Sequence, residues 1–127
     1  STGAAIAVAK AFPVLEGLFD GISIRVPVPA GSIVDVTFIA KRDTTAEEVN
    51  AILQKAAMDD RWHGIFSVTD EPLVSSDILG SAYASIADLA MTRVVGGNLV
   101  KVMAWYDNEM GYTHTLIEHV IKTGQME

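Results

Sequence analysis

The densest group of chemically versatile side chains lies where a strand-like pattern gives way to a helical one, in the run Trp105-Tyr106-Asp107-Asn108-Glu109-Met110-Gly111-Tyr112. Asn108 offers a paired donor and acceptor that can bind an amide, and Tyr112 can stack against a flat ring. The structural alternative makes Asp107 or Asn108 a helix cap, Glu109 a favourable first-turn charge, and the aromatic residues part of the core. Because eight such residues exceed what capping requires, the sequence supports both interpretations equally.

Two other positions suit an anion. Thr2 and Gly3 precede an Ala-rich helical run, where a hydroxyl and backbone N–H groups meet the positive end of the helix dipole. Arg25 stands on the polar side of an alternating apolar segment, and its guanidinium can fork onto a phosphate. Considered alone, each pattern favours an ordinary explanation: a simple helix cap at Thr2, and a solvated or ion-paired strand arginine at Arg25.

Metal, thiol and nucleotide-loop chemistry have no support in the sequence. The chain has no cysteine, so disulfides, thiolate metal ligands and a cysteine nucleophile are excluded within it. His114 and Glu118 are four residues apart, but their surroundings do not match zinc-protease patterns and favour a solvated helix face. No Gly-rich nucleotide-binding loop is present, so a nucleotide cofactor would be held mainly by residues outside the chain.

Bulk composition narrows the class of protein. The chain has 127 residues, of which 50% are hydrophobic, enough for the core of one ordinary domain. A net charge of −7 argues against a nucleic-acid partner. Apolar stretches are interrupted before the roughly 18 residues that a membrane-spanning helix needs, and no secretion pattern opens the chain. We therefore expect a soluble, unexported protein with neither membrane nor nucleic-acid partners.

Hydrophobic periodicity predicts the elements that must position these residues. Thr45 and Glu48 form a capping box that opens the clearest helix, which continues to about Met58. Gly96-Gly97-Asn98 predicts a tight turn between strands over residues 85–95 and 99–106. The other predicted elements are a helix over 4–12, a strand over 21–29 paired as a hairpin with one over 34–39, a strand over 64–69, and an extended segment over 73–79.

A last helix is predicted to begin near Asn108 and to stop at Gly124. We expect its apolar stripe to lie on the sheet; the stripe consists of Leu116, Ile117, Val120 and Ile121. Strands occur in runs, without strict alternation with helices. This arrangement predicts an α+β fold with an antiparallel or mixed sheet and helices packed on one face.

In their order and spacing, four motifs resemble the C-terminal third of glyceraldehyde-3-phosphate dehydrogenases. They are Ser1-Thr2-Gly3-Ala4-Ala5, Arg25-Val26-Pro27, Val34-Asp35, and the run from Trp105 to Tyr112. The resemblance implies that residues 1–127 form the C-terminal part of that family's catalytic domain, without its nucleotide-binding domain, in a cytoplasmic homotetramer. The implied activity is the glycolytic oxidation and phosphorylation of glyceraldehyde 3-phosphate to 1,3-bisphosphoglycerate with NAD or NADP.

The resemblance also implies a role for each candidate residue. Thr2 and Gly3 would bind inorganic phosphate, Arg25 the phosphate of substrate or product, Asn108 the nicotinamide carboxamide, and Tyr112 the nicotinamide ring. The cysteine nucleophile and histidine base of the family lie upstream of the Ser-Thr-Gly motif, so we expect the 127-residue chain alone to lack dehydrogenase activity. The alternatives are part of an erythrose-4-phosphate dehydrogenase, or a non-catalytic phosphate-binding or oligomerisation module.

Overall fold

A four-stranded mixed sheet forms the centre of the structure, a computed structural model that describes residues 3–126. The strand order is β1-β4-β3-β2; β1 and β3 run antiparallel to β4, and β2 runs parallel to β3. The α+β class and mixed sheet are thereby confirmed. The strands are β1 (Ser32–Ile39), β2 (Phe66–Thr69), β3 (Ser85–Val95) and β4 (Leu99–Tyr106), and the α-helices are α1 (Ala4–Ala11), α2 (Ala46–Ala57) and α3 (Met110–Gly124).

The predicted hairpin between β3 and β4 is confirmed. Gly96 and Gly97 both take left-handed backbone conformations, with φ of +61° and +82°, which glycine adopts without steric cost. The loop after β1 packs on this turn, because the N–H groups of Ala40 and Thr44 donate to the carbonyls of Asn98 and Gly97, both at 2.8 Å. The tip of the hairpin is therefore held by the segment that leads into α2.

The predicted start of α2 is also confirmed. The Thr45 hydroxyl oxygen accepts a hydrogen bond from the Glu48 N–H at 3.2 Å. The Glu48 carboxylate, however, turns towards Arg42 and the Thr44 hydroxyl, and these two partners lower its pKa to about 2. Asn50 then ties the helix to the sheet by donating from Nδ2 to the Leu89 carbonyl at 2.9 Å.

The core is centred on β3 and β4. Ala87, Val100, Ala104 and Trp105 are buried there. A buried carboxylate, Asp88, accepts hydrogen bonds from the Trp105 indole N–H at 3.0 Å and from the Ala90 N–H at 3.1 Å. The bond to Asp88 fixes the Trp105 indole in β4, the strand that leads to the polar residues Asp107 and Asn108. None of the helices within residues 3–126 combines the length and apolarity needed to cross a membrane.

The predicted strand over residues 21–29 and its hairpin with β1 are wrong. Residues 19–31 contain no strand, and β1 pairs with β4 instead. Pro27 and Pro29 lack the N–H groups that a strand ladder requires, and the Val28 N–H donates to the Val26 carbonyl at 2.9 Å in a tight turn. Alternating apolar residues gave the pattern of a strand, but the prolines remove its hydrogen bonds.

The extended segment predicted over residues 73–79 is wrong as well. Ser75–Ile78 forms a short 3-10 helix, entered where the Val74 N–H donates to Asp77 Oδ2 at 2.8 Å. Serine and aspartate favour such turns because their side chains bond to nearby backbone. Ile78 closes the turn and is only 2% exposed, so the turn is anchored to the body of the protein.

The apolar stripe of α3 does not lie on the sheet, contrary to prediction. Its four residues are between 46 and 63% exposed. The helix instead turns inward the face that contains the buried Gly111 and the half-buried His114, Thr115 and Glu118. At position 111 the absence of a side chain permits close approach to Tyr83, because a Cβ there would lie 2.7 Å from the Tyr83 carbonyl oxygen. Gly111 therefore belongs to the covered face of α3.

Candidate functional site

Asp107 joins three parts of the chain at the end of β4. Its carboxylate Oδ1 accepts from the N–H groups of Glu109 at 2.8 Å and Met110 at 3.0 Å, so it holds the first turn of α3. Oδ2 accepts from the Gly80 N–H at 2.8 Å and so binds the turn that follows Ile78. The hydrogen bonds from Met110, Gly80 and Glu109 lower the pKa of this buried carboxyl. Asp107 therefore caps α3. The sequence had left the cap open between Asp107 and Asn108.

Replacing Asp107 by asparagine is expected to lower the free energy of unfolding at neutral pH. The free energy of unfolding should also change less with pH in acid than it does in the wild type. The folded-state pKa lies below the ordinary value, so the ionised group stabilises the fold above the unfolded-state pKa of about 3.9 and loses this effect as pH falls through the folded-state value. The stability difference between wild type and Asp107→Asn should shrink below about pH 4. Urea unfolding of the chain across this range measures it.

Asp70→Asn is the matched control, because Asp70 is exposed and its side chain makes no hydrogen bond within residues 3–126. It should leave the unfolding free energy nearly unchanged over the same pH range. A pH-independent difference between wild type and Asp107→Asn would show that the ionised carboxylate is not what holds the start of α3.

Asn108 and Tyr112 share one cleft of about 330 Å³. The Asn108 side chain is exposed, and its Oδ1 accepts a hydrogen bond from the Gly31 N–H at 3.1 Å. Tyr112 is 67% exposed, one turn into α3, so it is not the core residue that the structural alternative required. The remaining lining residues are Ala84, Tyr106, Asp107 and Thr115. The structure thus brings an exposed amide and an exposed aromatic ring to the same concave surface.

Neither Gly3 nor Arg25, two of the predicted anion-binding residues, is among the residues that line this cleft. Thr2 is outside the described residues, and Gly3 stands exposed at the start of α1. Arg25 is exposed in the irregular segment 19–31, and within residues 3–126 its guanidinium makes no hydrogen bond or ion pair. Of the two ordinary explanations, a solvated or an ion-paired strand arginine, only solvation fits this exposed residue, and it lies outside any strand. The start of this segment lies near α1, because a Cβ at Gly21 would lie 3.8 Å from the Cβ of Ala5.

Three glycines that sequence considerations left without a role support the cleft. Gly31 and Gly80 have φ of +84° and +83°, and each donates its backbone N–H to a side chain of the β4–α3 junction. Gly111 permits the close approach of α3 to Tyr83. Nothing local in the sequence indicated which side chains Gly31 and Gly80 would bind.

A second cleft of about 420 Å³ lies beneath the inward face of α3. His114 and Glu118 are half-buried there, so this face is partly covered and not fully solvated. No group of residues in the described range 3–126 has the arrangement needed to hold a metal ion. The other lining residues are His63, Gly64, Ile65, Thr115, His119 and Lys122.

The structure is an α+β domain whose mixed sheet places an amide and an aromatic ring in one cleft at a strand–helix junction. The model of the family described as Glyceraldehyde 3-phosphate dehydrogenase, C-terminal domain, matches residues 1–108. The chain therefore belongs to the glyceraldehyde-3-phosphate dehydrogenase C-terminal domain family.

Individual relatives agree with this assignment. The chain is 50% identical over 118 residues to a glyceraldehyde-3-phosphate dehydrogenase of Zymomonas mobilis subsp. mobilis, covering 93% of this chain and 35% of that protein. It is 46% identical over 119 residues to the Borreliella burgdorferi enzyme, covering 93% and 36%. It is also 46% identical over 118 residues to the Geobacillus stearothermophilus enzyme, covering 93% and 35%. The chain thus spans about a third of the length of these relatives.

Proposed function

We propose that this chain is the C-terminal part of the catalytic domain of a phosphorylating glyceraldehyde-3-phosphate dehydrogenase. The observation that carries the proposal is the shared cleft of Asn108 and Tyr112, at a junction held by Asp107. The full-length protein would oxidise glyceraldehyde 3-phosphate with NAD or NADP and inorganic phosphate to 1,3-bisphosphoglycerate, as a glycolytic, cytoplasmic homotetramer. Residues outside this chain would supply the thiol nucleophile and the base, since the chain has no cysteine.

The chemistry of the cleft suits the nicotinamide end of the cofactor. Tyr112 presents a ring face for stacking, and Asn108 presents an amide for the carboxamide. When bound, the nicotinamide would accept the hydride from the aldehyde carbon. The contribution of this chain is to orient the ring, because a fixed geometry removes much of the entropic cost of bringing reacting groups together.

The phosphate groups would be met by Gly3 and Thr2 at the start of α1 and by Arg25. The first turn of α1 contains no acidic side chain, so an anion there meets the positive end of the helix without local repulsion. Arg25 is exposed and keeps its donors available. In this arrangement Thr2 and Gly3 serve the attacking inorganic phosphate, and Arg25 serves the phosphate of substrate or product.

Steady-state assays of the full-length protein test the proposal. NAD or NADP should be reduced when glyceraldehyde 3-phosphate and inorganic phosphate are both present, and thiol alkylation should abolish this activity. The 127-residue chain, which contains no thiol, serves as the negative control and should show no turnover. A higher kcat/KM for erythrose 4-phosphate would reassign the substrate. Phosphate binding without turnover by the full-length protein would indicate a non-catalytic module.

A further inference from the structure

All three histidines of the chain line one cleft. His63 lies in the loop before β2, and His114 and His119 lie on α3, yet all three border the cleft of about 420 Å³ beneath that helix. The sequence had favoured a solvated helix face for this part of α3. The fold instead brings together imidazoles that are distant in the sequence, and none of them has a role in the proposed function.

The wall of the cleft that contains His63 is held by backbone hydrogen bonds. The His63 N–H donates to the Asp60 carbonyl at 3.3 Å, at the end of a short 3-10 helix. Two residues later, the Ile65 carbonyl accepts from the Ala84 N–H at 2.9 Å. Gly64, between them, has a φ of +72°, a left-handed conformation that glycine adopts without steric cost. The backbone around His63 is therefore tied to the start of β3.

The second wall is the inward face of α3. His114, Glu118 and Lys122 follow one another at intervals of four residues, so they share one face of the helix, and His119 lines the cleft beside them. Within residues 3–126, the side chains of these four residues and of His63 form no hydrogen bond or ion pair. His114 and Glu118 are nonetheless half-buried. Polar groups that are partly withdrawn from water without partners favour a ligand that supplies them.

The charge of this cleft depends on pH. Lysine is positive and glutamate negative at neutral pH, so Lys122 and Glu118 together contribute no net charge. Histidine is the side chain that gains a proton as pH falls from about 8 to about 5, so acid adds up to three positive charges. The other lining residues, Gly64, Ile65 and Thr115, carry no charge. No group within residues 3–126 is arranged to hold a metal ion, so the protonated cleft favours an anion.

We propose that the three-histidine cleft binds a tetrahedral oxyanion of the phosphate type when its histidines are protonated. Donors on two walls suit such an anion, because its acceptor oxygens point in several directions and form charge-assisted hydrogen bonds with imidazolium and ammonium groups. The net charge of −7 does not oppose this, since charges more than about 10 Å away are largely screened at 0.1 M salt. The inference is independent of the proposed function, because Gly3, Arg25, Asn108 and Tyr112 do not line this cleft.

A sulfate titration tests the dependence on pH, because sulfate keeps both of its charges across this range whereas phosphate does not. NMR of the imidazole C–H groups of the 127-residue chain gives three histidine signals to follow. At about pH 5.5 sulfate should shift all three with one dissociation constant, roughly tenfold or more below that at about pH 8, as expected for a gained charged hydrogen bond. Equal constants at the two pH values would overturn the proposal. Different constants for His63 and the α3 histidines would also overturn it, because the anion would not then join the walls.

Single substitutions in the full-length protein give three different signatures in the rise of Tm that sulfate causes. His63→Gln should reduce the rise at acid pH only, because the imidazole is charged only there. Lys122→Gln should reduce it at both pH values, since the ammonium group is charged at both. Glu118→Gln should increase it at both, because a repelling carboxylate is lost. A rise that His63→Gln leaves unchanged, or that Glu118→Gln reduces, would overturn the proposal.

Lys41→Gln is the matched control for lost charge. Lys41 is exposed in the loop that packs on the β3–β4 turn, at the opposite end of β4 from α3. Sulfate also stabilises proteins in general because it is excluded from their surfaces, and this variant should retain the full rise of Tm. Equal rises in Lys41→Gln and Lys122→Gln would mean that sulfate does not bind in the cleft.

Inorganic phosphate and glycerol phosphate distinguish the two sources of such an anion. The cleft volume of about 420 Å³ lies within the usual range for small-molecule sites, so it has room for the organic part of a phosphate monoester. In the same NMR titration at about pH 5.5, tighter binding of glycerol phosphate would assign the cleft to a monoester, and equal binding would assign it to free phosphate. Binding of sulfate without binding of either phosphate would overturn the assignment to a phosphate-type ligand.

Discussion

Replacing Gly111 by alanine is expected to destabilise the chain, although the same change normally stabilises a helix. Alanine gains about 1 kcal/mol over glycine in a helix interior. Here, however, the new Cβ would lie 2.7 Å from the Tyr83 carbonyl oxygen and 3.3 Å from the Ala84 Cα, and both atoms are backbone. Overpacking of this kind costs about 1–3 kcal/mol, so the clash outweighs the helix propensity. Urea unfolding monitored by tryptophan fluorescence measures the difference.

Gly124→Ala is the matched control in the same helix. A Cβ at position 124 has nothing within 4 Å, so the change meets no steric cost, and because Gly124 is the last residue of α3 it should be nearly neutral. A Gly111→Ala chain as stable as Gly124→Ala would refute the close approach of α3 to Tyr83. In the full-length protein, Gly111→Ala should also raise the KM for the cofactor, because the clash would shift α3 against Ala84, and Ala84 and Tyr112 both line the cleft.

Features whose causes lie within a few residues could be predicted from the sequence. The Thr45 cap and the Gly96-Gly97 turn are such cases, because each depends on one side chain or on local backbone freedom. Asn108 and Tyr112 belong with them. Their spacing at a strand–helix boundary placed both near one surface, and the structure shows that they line the same cleft.

Features that depend on distant partners could not be predicted in this way. Alternation over residues 21–29 indicated a strand, but a strand also needs a neighbour to bond, and β1 is paired along its whole length with β4. The apolar stripe of α3 indicated which face favours burial. It did not indicate that the glycine of the opposite face would be drawn against Tyr83.

The residues that hold the candidate site in place could not be predicted either, because they are distant in the sequence. Asp107 binds Gly80, 27 residues earlier, and Asn108 binds Gly31, 77 residues earlier. A glycine in a predicted turn indicates that the backbone there can adopt unusual conformations. It does not indicate which acceptor its N–H will bind. The candidate ligand-contacting residues were therefore recognisable from sequence, whereas the residues that hold them in place required the three-dimensional arrangement.

Replacing Arg25 by alanine in the full-length protein is expected to lower kcat/KM for glyceraldehyde 3-phosphate by roughly 10- to 150-fold. A hydrogen bond to a charged group contributes about 1.5–3 kcal/mol, and each 1.4 kcal/mol is a factor of ten. Because the guanidinium has no partner within residues 3–126, its removal should not change the stability of the fold. Arg25→Lys keeps the positive charge but loses the forked donor geometry of the guanidinium, so its kcat/KM should lie between those of the wild type and Arg25→Ala.

The substrate's own phosphate provides the decisive comparison. If Arg25 binds that group, then Arg25→Ala should have little effect on kcat/KM for glyceraldehyde, which has the aldehyde but no phosphate. An equal loss of kcat/KM with both substrates would show that Arg25 does not bind the substrate phosphate, because glyceraldehyde has no phosphate to bind. Arg61→Ala serves as the control for net charge, since Arg61 is exposed and stacks on Trp62 with 5.0 Å between its guanidinium carbon and the ring centre. Its kinetics should match the wild type, because the change removes one positive charge and the Trp62 contact but no group that is proposed to bind the phosphate.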